Sequence, residues 1–202
     1  MPPIDTSPVM LILWALFGYL MGSVPYGMLT ARFMGLGNLR DIGSGNIGAT
    51  NVLRTGSKKA AALTLLLDAG KGAVAVLIAR AMAAEDAVQL TALAAMIGHC
   101  FPVWLRFDGG KGVATFLGIM LALAWPAGIG CCLIWLVAVA ATRVSSMGAL
   151  AAASASTFLL VITGYGYMLI LGIALTLLLY LRHRANIIRI KAGTEPKIGQ
   201  KG

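Results

Sequence analysis

Seven apolar runs, most of them long enough to cross a bilayer, leave this chain few folds to choose from. In lipid every backbone N–H and C=O must find its partner within the protein, so runs of this kind read as membrane-spanning helices. Composition agrees. Hydrophobic residues make up 59% of the sequence and charged residues 11%, whereas soluble domains carry about 25% charged residues. No stretch rich in Pro, Ser or charge divides the 202 residues, which therefore read as one bundle. The net charge of +9 lies in the short junctions between runs, not on a folded basic face. Anionic headgroups and phosphorylated solutes are thus the expected partners, and nucleic acid is not.

The first run, Pro8 to Phe33, contains Gly18, Gly22 and Pro25, which predict close packing and a bend. Its leading segment, MPPIDTSP, has no basic residue, so the run is expected to be kept as a span and not cleaved as a signal. Ala60 to Met82 carries Asp68 and Lys71, whose i, i+3 spacing predicts a pair turned into the bundle. The third run covers residues 87–105 and contains His99 and Pro102 near its end. The fourth, residues 113–125, falls short of the roughly 17 residues a crossing needs, so a tilted or partly re-entrant segment is expected there. Pro126 to Ala141, Met147 to Thr163 and Tyr167 to Leu181 complete the seven. Beyond a short interfacial helix, residues from about 192 to 202 read as a flexible tail. Cys100, Cys131 and Cys132 read as packing residues, not as a disulfide framework.

Orientation follows from the cations. With the N-terminus outside, Arg32, Arg40, Arg54, Lys58, Lys59, Arg106, Lys111, Arg143 and the six C-terminal cations share one side, 14 of the 16 Lys and Arg. The positive-inside rule makes that side the cytoplasm. The expected fold is an all-α integral membrane protein, a bundle of seven transmembrane helices with its N-terminus outside and its C-terminus cytoplasmic.

That topology brings four junctions to one rim: GSGNIGATNVLR at 43–54, GGKG at 109–112, RVSS at 143–146 and RHRAN at 182–186. Glycines allow backbone amides to converge on an anion, which makes Gly43, Gly45, Gly48, Gly109, Gly110 and Gly112 candidate substrate contacts. Ser44, Asn46, Thr50 and Asn51 add side-chain hydrogen bonds, while Arg54 and Lys111 add charge. Each also has a plainer reading: the two cations as membrane anchors, Ser146 as a helix N-cap, His183 as an interface residue. GSGNIG and GGKG look like fragments of nucleotide-binding loops, but the βαβ setting those loops need is absent.

The missing chemistry narrows the reaction. Asp41 and Asp108 are the acids nearest the glycine-rich patches, with Glu195 in the tail, and no carboxylate pair is available. No His, Cys and acid cluster has metal spacing, so neither a metal nor another cofactor is expected. What remains is group transfer in which the substrate carries its own activation and the protein supplies position and positive charge. A transporter for a phosphorylated solute is the main alternative; it would need an inverted repeat and more midplane charge than Asp68 and Lys71 provide.

SGNIGATNVLR, GHCFPVWLRFDGGKGVAT and RHRANI resemble the three cytoplasmic motifs of the bacterial acyl-phosphate:glycerol-3-phosphate acyltransferases, the PlsY family. The resemblance covers nearly the whole chain. It implies a seven-helix bundle that moves an acyl group from acyl phosphate to the 1-hydroxyl of glycerol 3-phosphate, giving lysophosphatidic acid in the bacterial inner membrane, with a monomer plausible. It further implies that Ser44 and Arg54 act in catalysis, that Gly109 to Gly112 with Lys111 hold the phosphate of glycerol 3-phosphate, that Ser146 (or Ser145) adds a contact, and that His183 and Asn186 line the site. On this reading amides of the first loop or Asn46 stabilise the oxyanion, and the base is either His183 or a substrate phosphate. One position departs from the family pattern: Ala185 stands where the third motif usually has Glu, a residue tied there to local packing.

Overall fold

The computed structural model describes residues 2–199, and these form helices and turns without a strand. The helices are α1 (Pro8–Ser23), α2 (Tyr26–Phe33), α3 (Ala49–Leu53), α4 (Lys58–Met82), α5 (Glu85–Cys100), α6 (Val113–Leu123), α7 (Trp125–Thr142), α8 (Ser145–Ile162), α9 (Leu169–Arg182) and α10 (Arg184–Lys191). Single 3-10 turns occupy Leu39–Asp41, Val103–Leu105 and Gly166–Met168.

All seven apolar runs are helical, but they are not equally able to cross a membrane. Five are long and apolar enough: Pro8–Phe33, Lys58–Met82, Glu85–Leu105, Trp125–Thr142 and Ser145–Ile162. Gly166–Arg182 makes a sixth only when joined to α10, from which it is bent by 64°. The fourth, α6, is 11 residues long. Its last carbonyls, which a helix end leaves without intrahelical partners, are capped from α4: Arg80 donates to Ala122 O at 2.6 Å and Leu123 O at 2.8 Å.

The first run breaks where Pro25 lacks an amide. The carbonyl of Val24 accepts from Lys71 Nζ at 2.7 Å, and the same ammonium pairs with Asp68 Oδ1 at 2.9 Å. The i, i+3 pair on α4 is therefore formed and buried, and it holds the bend between α1 and α2. Small residues set how closely the helices approach. A Cβ on Gly18 would stand 2.4 Å from Thr91 O and one on Gly22 1.9 Å from Ala95 O, so α1 lies backbone to backbone on α5. Gly118 of α6 meets α4 in the same way, 2.1 Å from Ala69 O.

Large apolar side chains such as Leu13, Leu66, Val137, Phe158 and Leu177 point outward, as a lipid-facing surface requires. The main core runs through α4, α5, α6, α7, α8 and α9. A smaller cluster of Ala31, Leu39, Val52, Ala60 and Ala61 fastens the first glycine-rich loop to α2 and α4. The three cysteines are free, with Cys100 and Cys131 buried.

The tail corrects an expectation. Residues 192–199 fold back over the rim instead of trailing away: Ile198 N donates to Arg143 O at 2.7 Å, and Arg143 Nη2 returns a bond to Ile198 O at 3.3 Å. Residues 200–202 of the expected flexible tail lie outside the described residues.

Candidate active site

The first loop is built around Asn51, the most buried polar residue within it. Asn51 Oδ1 accepts from Ser44 N at 3.1 Å, Ser44 Oγ at 3.4 Å and Arg54 Nη1 at 3.3 Å. Its Nδ2 donates to Leu39 O at 3.0 Å and Asn46 O at 2.7 Å. Asn51 thus has its hydrogen bonds made inside the loop, and it shapes the site whose wall it helps to form. Gly43 turns with φ +53°, and a Cβ there would sit 2.5 Å from Arg54 Cδ. The arginine folds across that glycine, which puts its guanidinium beside Ser44. Thr50 Oγ1 lies 3.1 Å from Ser145 Oγ and ties the short α3 to the start of α8.

The second loop is pressed against the end of α5. Gly109 N donates to Cys100 O and Gly110 N to His99 O, both at 3.1 Å. A Cβ on Gly109 would stand 2.2 Å from His99 O, and one on Gly110 2.2 Å from His99 Nε2. This turn carries Lys111 over the cavity. Burial pushes the Lys111 ammonium down to about 8, against the pull of Glu195 and with help from Arg189, Arg54 and Arg182. At neutral pH it remains a cation, but one that has lost much of its hydration and gains strongly from an anion.

The third corner holds an acid that the sequence motifs do not place there. Glu195, reached by the folded-back tail, accepts from Ser146 Oγ at 2.6 Å, from Arg189 Nε at 2.7 Å and from Asn186 Nδ2. Ala185 is exposed, so no packing depends on the residue there; the carboxylate in this corner arrives from ten positions further on. Burial alone would raise the pKa of Glu195, but the bonds from Ser146, Asn186 and Arg189 together hold it below the usual 4.5. Because the folded value is the lower one, docking of the tail contributes stability that is present above about 4.5 and is lost as pH falls through the folded value. A nitroxide on Pro196→Cys is therefore expected to be immobilised at pH 7 and to become mobile in that acid range, and Glu195→Gln should mobilise it at neutral pH.

His183 sits between α9 and α10, at their 64° bend. Its Nδ1 lies 2.8 Å from Leu179 O, a group that can only accept, so Nδ1 carries the proton and Nε2 is left as an acceptor. Burial pushes the imidazole down to about 4, in spite of that bond and of Glu195, with Lys111 and Arg182 pushing the same way. At pH 7 it is neutral.

These corners surround one cavity of about 1470 Å³. Ser44, Asn46, Arg54, Lys111, Ser146, His183 and Asn186 all line it, as do Gly43, Gly48, Thr50, Asn51 and Gly112. Gly45, Gly109 and Gly110, expected as substrate contacts, do not: Gly45 faces Arg40, and the other two are packed on His99 and Cys100. An apolar arm extends from the polar end between α4, α6 and α7, lined by Leu65, Val113, Ala114, Leu117, Trp135 and Leu136. Among the described residues no group of His, Cys, Asp and Glu has the geometry of a metal site. Reading the sequence missed Glu195 and Arg189, because neither lies in a glycine-rich stretch: the folded tail brings in Glu195, and Arg189 lies on α10 about one turn beyond Asn186.

Fold and cavity together define an all-helical integral membrane protein with a cationic, hydrogen-bond-rich pocket open to an apolar channel. A sequence model of the glycerol-3-phosphate acyltransferases matches residues 12–193. The chain is 67% identical over 201 residues to a glycerol-3-phosphate acyltransferase of Ruegeria pomeroyi, covering all of this chain and 99% of that one. It is 64% identical to the one of Roseobacter denitrificans, covering 98% and 99%. Among solved structures it resembles PlsY (YgiH), an integral membrane glycerol 3-phosphate acyltransferase, in its glycerol 3-phosphate form, with a TM-score of 0.88 and 36% identity over 94% of this chain and 96% of that one. A lysophosphatidic acid form of the same protein gives a TM-score of 0.85. The chain belongs to the glycerol-3-phosphate acyltransferase family.

Proposed function

We propose that the protein transfers an acyl group from acyl phosphate to the 1-hydroxyl of glycerol 3-phosphate, releasing lysophosphatidic acid and inorganic phosphate. The observation that carries this reading is the single cavity that joins an apolar arm to a polar end where Arg54, Lys111 and Arg189 converge. An acyl chain suits the arm, and two phosphates suit the end. The acyl phosphate head rests against Ser44, Asn46 and Arg54; glycerol 3-phosphate is held by Lys111, and by Ser146 and Asn186 once its phosphate replaces the Glu195 carboxylate on their donors. The seven helical runs are read as seven crossings with the N-terminus outside, which puts the cavity mouth on the cytoplasmic side of a bacterial inner membrane.

In the reaction the hydroxyl oxygen bonds to the acyl carbon, the bond from that carbon to the phosphate oxygen breaks, and the hydroxyl proton ends on the departing phosphate. Amides of the first loop and Asn46 stabilise the oxyanion. Phosphate, with its second pKa near 6, is a better proton acceptor than an imidazole pushed down to about 4. That comparison favours the substrate phosphate as base and leaves His183 to orient the hydroxyl through Nε2. His183→Ala is then expected to lower kcat/KM about tenfold, the worth of one net hydrogen bond of about 1–1.5 kcal/mol. Its pH–rate limb near neutrality should not move; a displaced or missing limb would make histidine the base.

The deciding experiment gives purified protein palmitoyl phosphate and glycerol 3-phosphate in the presence of lipid. Stoichiometric lysophosphatidic acid and phosphate support the reading. Product formed from palmitoyl-coenzyme A but not from palmitoyl phosphate would overturn the donor, and no product from either would overturn the reaction.

A further inference from the structure

Three residues outside the cavity tie its loops together. Arg182, the last residue of α9, donates from Nε to Gly110 O at 3.1 Å and from Nη2 to Gly109 O at 3.0 Å. Its guanidinium lies over the Phe101 ring at 5.1 Å, which fixes the plane of the fork. Arg40, in the 3-10 turn before the first loop, donates to Gly45 O at 3.1 Å and to the main-chain oxygen of Asp108. The Asp108 carboxylate stands between the two, with Oδ2 3.2 Å from Arg40 and Oδ1 3.7 Å from Arg182. None of the three lines the cavity.

We propose that Arg40, Asp108 and Arg182 are positioning residues for glycerol 3-phosphate, a clasp that sets Lys111 against the first loop; the proposal rests on the acyl-transfer reading above. The four hydrogen bonds on Gly109 and Gly110, two from their amides and two to their carbonyls, leave the turn before Lys111 with one arrangement. Arg182 also precedes His183, so one guanidinium links the second loop to the third corner, while Arg40 links it to the first. A cation that merely anchored α9 at the membrane surface could be lysine. The two carbonyl bonds require a planar fork with donors at fixed spacing, which lysine lacks. Asp108 has the smallest share, because its side chain is 67% exposed and the ion pairs it makes are screened.

The test is a cycle of Arg182→Lys and Lys111→Ala, assayed with palmitoyl phosphate and glycerol 3-phosphate. Arg182→Lys should raise KM for glycerol 3-phosphate about tenfold, the scale of one lost charge-assisted pair, with kcat and the KM for palmitoyl phosphate within about twofold of wild type. On the Lys111→Ala background the same change should have no further effect on that KM, because the clasp acts through Lys111. Arg40→Lys should behave alike and gives an independent reading if Arg182→Lys does not fold. A wild-type KM in both lysine variants, an undiminished effect without Lys111, or losses in KM and kcat that track a lowered Tm would each overturn the clasp. Failure of wild-type protein to form product would instead remove the acyl-transfer reading.

Discussion

Lys111→Ala is expected to lower kcat/KM for glycerol 3-phosphate about 100-fold, chiefly through KM. A charge-assisted hydrogen bond contributes about 1.5–3 kcal/mol net, and the upper end applies where burial has already stripped much of the ammonium's water. The pH dependence identifies the group. With a pKa of about 8 in the free protein, Lys111 is charged below that value and neutral above it, so wild-type kcat/KM should fall as pH rises through about 8. The bound phosphate favours the charged form, so the corresponding fall in kcat should come at higher pH. In Lys111→Ala the limb near pH 8 should vanish. Steady-state kinetics from pH 6 to 10 on the two proteins would check both, and a limb that survives in the variant would assign it to another residue.

Gly110→Ala should be nearly as damaging although Gly110 does not reach the cavity. Its new methyl would lie 2.2 Å from His99 Nε2 and within 3.1 Å of two ring carbons. That ring is tethered: His99 is buried, and Nδ1 sits 3.1 Å from Thr115 Oγ1, whose own hydroxyl donates to Asp68 O at 2.8 Å. The loop must move instead and takes Lys111 with it. Overpacking of this kind costs about 1–3 kcal/mol of stability, and a displacement on the order of 1 Å at a reacting site can cost about 100-fold in rate. Gly70→Ala is the control. It lies inside α4 with nothing within 4 Å of the added carbon, and alanine in a helix interior is favoured by about 0.5–1 kcal/mol. Its activity should equal wild type with an unchanged or raised Tm, so a loss at Gly110 but not at Gly70 would isolate the loop.

Asn51 and Gly110 stood beside Asn46 and Lys111 in glycine-rich motifs, and nothing local separates a residue that faces a ligand from one that supports the loop carrying it. Only the bonds of Asn51 to Leu39 and Asn46, and the contact of Gly110 with His99, make that division. The Asp68 and Lys71 pair could be read in advance because a helix puts i and i+3 on one face. Its use in capping the broken carbonyl of Val24, 47 residues away, could not. The fourth apolar run sits between these cases, since α6 is visibly apolar yet short, and its last carbonyls are capped by Arg80 from another helix.

Hydrophobic run lengths and the placement of cations were enough to establish a helical membrane bundle with polar, glycine-bearing junctions, because lipid permits almost no other way to satisfy a spanning backbone. The tertiary structure alone decided that Glu195 closes the corner of Ser146 and Asn186, and that Arg40 and Arg182 brace the loop before Lys111. Those contacts join positions from 9 to 73 residues apart. Electrostatic partners at such separations are chosen by how helices pack and where a tail folds back, which no local pattern of residues encodes.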